Sequence, residues 1–159
     1  MTRSRKTLLI VLIAVLVFAP AANAGELVDR AVAALRSDPV YVDPAAERAL
    51  DDAAADRLRE RIANAGAGPV YLAVLPDEAR LEAGGDADAV VDLVHRELGR
   101  DGTYVVVVGN RFRAGSTEFP RGVVPRLATE AFREHGDEGL AATLLVFVDE
   151  LARDRKSVV

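Results

Sequence analysis

Apolar residues recur along this chain with two different periods. In GELVDRAVAALRSD, residues 25–38, Leu27, Val28, Ala31, Val32 and Leu35 fall at helical spacing and predict one buried stripe. Pro39 ends that helix, and PVYVDP, 39–44, reads as a short extended piece. Asp43 stands before Pro44, which pushes it out of the helical region. Leu50, Ala54, Leu58 and Ile62 then recur every four residues, so a second amphipathic helix is expected. Asp51 is its N-cap candidate, Asp52 suits the positive end of the helix dipole, and Gly66 or Gly68 ends it.

The period changes at PVYLAVLP, 69–76, a nearly all-apolar run of the kind buried on both faces of a sheet. DEARLEAGG, 77–85, reads as a loop leading to DADAVVDLVHREL, whose stripe is Ala87, Val90, Val91, Val94 and Leu98. TYVVVV, 103–108, is a second wholly apolar strand, and Gly109-Asn110 offers a tight turn out of it. In RFRAGST, Phe112 alternates with Arg111 and Arg113, as on a half-exposed hairpin strand at a sheet edge. Two helices close the chain, 123–136 and 137–153; the second is apolar nearly all round from Leu140 to Val148 and is expected to be deeply buried. Strands alternating with helices predict a single three-layer α/β domain: a central mixed four-stranded sheet with helices on both faces.

The amino terminus adds a destination. Arg3, Arg5 and Lys6 precede an apolar run from Leu8 to Ala19, and Ala22-Asn23-Ala24 supplies the small residues of a cleavage site. That is the three-part pattern of a secretory signal peptide over residues 1–24. An uncleaved membrane anchor is the alternative, but the run is short against the roughly 20 residues that a span needs. At the other end, DRKSVV, 154–159, back-translates to the start of a widely used sequencing adapter. These six residues are expected to be read-through, with the native chain continuing past Arg153.

The formal charge is −5; without residues 1–24, which carry +3, and the last six, which carry +1, it is −9 for residues 25–153. An acidic domain is a poor match for nucleic acid, whose affinity comes largely from phosphate neutralisation, or for anionic lipid headgroups. Cations and basic partners stay open. The chain has no cysteine, which excludes disulfide staples and thiol chemistry, so the core alone must hold the fold.

The order of these elements resembles the TPM domain of exported and thylakoid-lumen proteins. VYVDPAAERALDDAAADRLRERI matches its opening Asp, cap and helix, and PVYLAVLP its first core strand. TYVVVVGNRFRAGS matches its hairpin and AFREHGDEGLAATLLVFVDEL its closing helices, so the likeness spans about residues 40–152. It is nearest to an uncharacterised actinobacterial branch of membrane-anchored proteins carrying this domain outside. The family's glycine-rich signature after the hairpin strand is reduced here to AGST, 114–117. The resemblance implies an exported domain tied to the membrane by a segment outside this chain. It also implies an envelope or membrane protein as partner, with acid phosphatase activity and calcium binding known in some members.

If the strands at 39–43, 69–76 and 103–108 are joined by right-handed helical crossovers they run parallel, with their carboxyl ends on one edge. Asp43, Asp77 and Asn110 each stand just past such an end, where open α/β sheets bind ligands. Two carboxylates and an amide oxygen form a hard donor set for Ca²⁺ or Mg²⁺; the plainer reading is that both Asp residues shape turns. Arg111 and Arg113 are candidates to hold a phosphate or carboxylate, or else guard an edge strand against pairing. His95 and His135 have no partner histidine at metal-ligand spacing and read as solvent-exposed helix residues. Ser116 and Thr117 have no nucleophile elbow around them. Asp51, Asp52 and Asp56 read as cap and solvated helix face. The resemblance, with the signal peptide and the acidic charge beside it, implies a non-enzymatic binding or assembly module at the bacterial envelope, and this is the leading expectation. A metal-assisted phosphatase using Asp43 and Asp77, with Arg111 on the phosphate, is the alternative.

Overall fold

The two wholly apolar runs form the middle of a four-stranded sheet. A computed structural model describes residues 25–48 and 50–157; the expected signal peptide, 1–24, lies outside them, as do Val158 and Val159. In chain order the elements are α1 (Glu26–Leu35), β1 (Val40–Val42), α2 (Asp52–Ala65) and β2 (Val70–Leu75). They continue with α3 (Ala87–Leu98), β3 (Thr103–Val108), β4 (Arg111–Ser116), α4 (Val123–His135) and α5 (Leu140–Ser157). The sheet order is β1-β2-β3-β4, with the first three strands parallel and β4 antiparallel to β3.

Strand side chains alternate between faces, so β2 and β3 serve two cores at once. Leu72, Val74, Val105 and Val107 point to one side, where α2, α4 and α5 cover them with Leu58, Leu127, Leu144, Phe147 and Leu151. Ala73, Leu75, Val106 and Val108 point to the other, against Val28, Leu35, Val90 and Val94 of α1 and α3. This is the three-layer arrangement that the strand and helix periods predict.

The connections depart from expectation in their handedness. The strand order runs in one direction, yet α2 joins β1 to β2 on one face and α3 joins β2 to β3 on the other. Parallel crossovers that step the same way on opposite faces have opposite hands, so one of the two is left-handed, against the usual preference.

Local signals set most boundaries. Asp51 caps α2 by accepting from the Ala54 N–H at 2.6 Å, and Gly66 ends it in the left-handed region at φ 76°. Residues 77–85, expected as a loop, contain a 3-10 helix over Asp77–Ala83. A one-turn 3-10 segment, Gly136–Glu138, precedes α5, and α5 runs past Arg153 to Ser157. Arg155 reaches back from it to the Ala67 carbonyl at 3.1 Å and the Glu118 carboxylate at 2.6 Å. Burial of α5 is confined to a stripe: Leu144, Phe147, Val148 and Leu151 are enclosed, whereas Leu145 and Val146 are only partly covered. Among the described residues no helix is long and apolar enough to cross a membrane.

Gly109 is the first of the two residues between β3 and β4, with φ 54°, while among the described residues no non-glycine residue has positive φ. Positive φ at the first central position alone is the pattern of a type II′ turn, where glycine is favoured. A Cβ added there would lie 2.7 Å from Asp77 Oδ1. Gly109→Ala is expected to cost about 1–3 kcal/mol from backbone strain and the forced shift of Asp77, read as a lowered thermal midpoint.

Candidate functional site

Parallel pairing brings the carboxyl ends of β1, β2 and β3 to one edge, as the sequence suggested for Asp43, Asp77 and Asn110. The Asp43 N–H donates to the Val74 carbonyl at 2.8 Å and the Gly109 N–H to the Leu75 carbonyl at 3.1 Å, tying the three strand ends together. Asp43 and Asp77 sit in contrasting surroundings there.

Asp43 is only 1% exposed. Its Oδ2 accepts from Arg30 of α1 at 2.9 Å and from the Tyr41 hydroxyl at 3.0 Å, and its Oδ1 from the Ala45 N–H at 2.9 Å. Burial alone would push this carboxyl up, but the Ala45 amide, the Arg30 guanidinium and the Tyr41 hydroxyl together hold it below the usual carboxylate range. Tyr41 moves the other way: burial, aided by the Asp43 charge and opposed by Arg30, raises its hydroxyl.

Asp77 opens the 3-10 segment and is partly exposed. Its Oδ1 accepts from Arg80 at 2.8 Å and from Arg111 at 3.2 Å, its Oδ2 pairs closely with Arg80, and its N–H donates to the Glu47 carboxylate at 3.1 Å. Hydrogen bonding to Arg80 depresses this carboxyl too. Farther along the same segment, Glu82 accepts from the Leu27 and Val28 N–H groups at 2.9 Å each. It thus places a carboxylate on the amino end of α1, where unpaired donors and the helix dipole favour it.

Asn110 is exposed at the hairpin tip. A cation on the expected set of Asp43, Asp77 and Asn110 would compete with Arg30, Arg80 and Arg111 for the carboxylate oxygens. Among the described residues, no three His, Cys, Asp or Glu side chains converge to hold a metal ion. As it stands, the donor chemistry does not fit Ca²⁺, which takes 6–8 oxygen ligands.

The two hairpin arginines are also engaged. Arg111 meets Asp77, and Arg113 reaches Asp88 of α3 at 3.1 Å while donating to the Phe112 carbonyl at 2.9 Å. The Ser116 hydroxyl donates to the Gly102 carbonyl at 3.1 Å, and the Thr117 hydroxyl accepts from the Gly102 N–H at 3.0 Å. Both therefore close the base of the hairpin. His95 and His135 are half-buried rather than solvent-exposed: His95 packs 4.9 Å from the Tyr104 ring, and His135 Nδ1 lies 2.9 Å from Glu138. Asp56 pairs with Arg59 on the α2 surface.

Sequence reasoning missed Arg30, Tyr41, Glu47, Arg80 and Glu82. Only Tyr41 left a local signal, since two residues before Asp43 on a strand is the same face. Comparison of the chain with protein-family models, with curated proteins and with solved structures gave no match.

Proposed function

We propose that this domain is a non-enzymatic binding or assembly module exported to the bacterial envelope and kept near the membrane by a segment outside this chain. The observation that carries the reading is the state of the sheet's carboxyl edge, where ligands of open α/β sheets bind. Asp43 and Asp77 are both held ionised there by arginine partners. A carboxylate locked in an ion pair with a lowered pKa is a weak base and no acid at neutral pH. A fixed pattern of charges suits recognition of another surface, where complementarity sets partner choice. The secretory pattern of residues 1–24 and the resemblance to the TPM domain support the location.

The test uses the full chain, expressed in its envelope setting with a photo-crosslinking residue in place of Glu47 at this edge. The purified chain is assayed in parallel on a generic phosphate ester with and without calcium. The expected result is a discrete crosslinked adduct in the envelope fraction, with ester hydrolysis no faster than in buffer. Turnover that vanishes in Asp77→Asn would overturn the reading in favour of a metal-assisted phosphatase.

A further inference from the structure

β4 is the terminal strand of the sheet, and its side borders a cleft of about 540 Å³. The phase of the hairpin decides which main-chain groups point outward. A two-residue hairpin turn closes on a hydrogen-bonded pair, here Val108 and Arg111. At the far end the Thr117 N–H donates to the Gly102 carbonyl at 3.0 Å, in the same phase. Hydrogen-bonded and non-bonded pairs alternate, so Arg111, Arg113 and Gly115 direct their main chain to β3, while Phe112 and Ala114 turn N–H and C=O outward. The Arg113 guanidinium, which donates to the Phe112 carbonyl at 2.9 Å, marks that outward direction.

The opposite wall belongs to α4. Thr129, Phe132 and Arg133 line it, and Phe132 is 39% exposed, a large apolar side chain open to solvent. Arg111, Arg113 and Arg133 line the cleft with one acid, Asp137. Their ion pairs run to Asp77, Asp88 and Glu134 outside the lining, all at least part-exposed, so a competing carboxylate exchanges with them at little cost. A cleft whose charged lining is mainly guanidinium favours a partner that brings carboxylates to it.

We propose that this cleft takes an extended acidic segment of a partner protein, added to the sheet beside β4, with acidic residues toward Arg111 and Arg113 and apolar ones toward Phe132. Strand addition at an open edge draws affinity from main-chain hydrogen bonds and specificity from alternate side chains. On β4 the two arginines share one face and Phe112 and Ala114 the other, with α4 and α5. A partner strand that alternates acidic and apolar residues matches both faces at once. The Arg113 contact to the Phe112 carbonyl blunts the edge against indiscriminate pairing, and an acidic side chain releases it by giving the guanidinium a better acceptor. A second copy is a worse occupant, because β4 against β4 would crowd like-charged arginines across the new pair. The proposal rests on the binding-module reading and names its partner's chemistry.

Fluorescence anisotropy with the full chain and a labelled octapeptide alternating Glu and Val tests it. Saturable binding is expected, with none for the Lys–Val counterpart. Affinity should fall at least about tenfold in the Arg111→Gln, Arg113→Gln double variant. It should fall similarly in Ala114→Pro, which removes an outward N–H and leaves the β3 ladder whole. Two peptides N-methylated on alternate amides keep the protein untouched, so a misfolded variant cannot imitate the result. One phase should lose binding and the other retain it. No binding of the Glu–Val peptide, or equal binding of both methylated phases, overturns the proposal; the second outcome would leave a simple anion site. Phosphate-ester turnover would overturn the binding-module reading instead, and the titration does not depend on it.

Discussion

Replacing Phe147 by alanine is expected to destabilise the protein by about 3–5 kcal/mol, the usual cost of emptying an aromatic site in a close-packed core. Phe147 is fully enclosed at 0% exposure and meets Phe112 edge-on, with ring centroids 5.2 Å apart and planes at 84°. It joins α5 to β4 at the centre of the larger core, among Val107, Leu127 and Leu144. A domain of this size has only about 5–15 kcal/mol to lose, so the variant should stand near the limit of folding at 37 °C. Urea unfolding followed by circular dichroism gives the measurement: the midpoint should fall with little change in slope. A midpoint within experimental error of the parent would mean that α5 does not seal this face. Phe147→Leu should recover part of the loss, because it leaves a smaller void.

Removing the Asp43 side chain is expected to cost about 2–3 kcal/mol. Asp43→Ala removes a buried carboxylate that accepts from the Ala45 N–H, the Tyr41 hydroxyl and Arg30, and hydrogen bonds to a charged group contribute about 1.5–3 kcal/mol each. The exposed Ala45 N–H and the part-buried Tyr41 hydroxyl recover some of this from water. Arg30 is about half exposed and can turn to water, which keeps the loss below the 3–5 kcal/mol typical when a fully buried pair is broken. The same carboxylate sets part of the pH profile. Its native pKa lies below that of the unfolded chain, about 3.9, so its contribution is complete above that value. It is lost as pH falls through the lower, native pKa. Asp38 and Asp77 are depressed too and act in the same window. Tyr41 has the opposite sign: its raised pKa makes its contribution complete below about 10 and lost above that. Stability should therefore be flat from roughly pH 5 to 9, with an acid limb that is shallower in Asp43→Ala. Calcium at millimolar concentration should leave the cost of this substitution unchanged. If calcium raised the parent's midpoint but not the variant's, Asp43 would be a ligand rather than an ion-pair anchor.

The fold was legible because its two periods are clean. Val70–Leu75 and Thr103–Val108 are apolar at every position facing either core, apart from Thr103 at the end, so they had to be central strands. The stripes of α1, α2 and α3 reappear as their buried residues: Val28, Ala31, Val32 and Leu35; Ala54, Leu58 and Ile62; Val90, Val91, Val94 and Leu98. The candidate site was legible only in part. Carboxylates after strands β1 and β2 could be placed on one edge from topology, but their partners could not. Arg30 lies on a helix 13 residues before Asp43, and Arg111 on a hairpin 34 residues after Asp77. The segment 77–83 read as a loop because its seven residues are too few for a periodic signal. Its anchoring contact, Glu82 on the amino end of α1, is 55 residues away in the chain.

By itself, then, the sequence determined the main helices and strands, the buried stripes of α1, α2 and α3, the two central strands and that the sheet carries helices on both faces. Each of these follows from local spacing and the free energy of burying apolar surface. Only the tertiary structure decided three further things: the opposite hands of the two crossovers, the pairing of Asp43 and Asp77 with arginines, and the position of α4 that leaves an arginine-lined cleft beside β4. The reason is physical. Hydrophobic burial is non-directional and selects faces, whereas ion pairs and the cleft beside a terminal strand depend on which distant residues the completed packing brings within about 3–4 Å of one another.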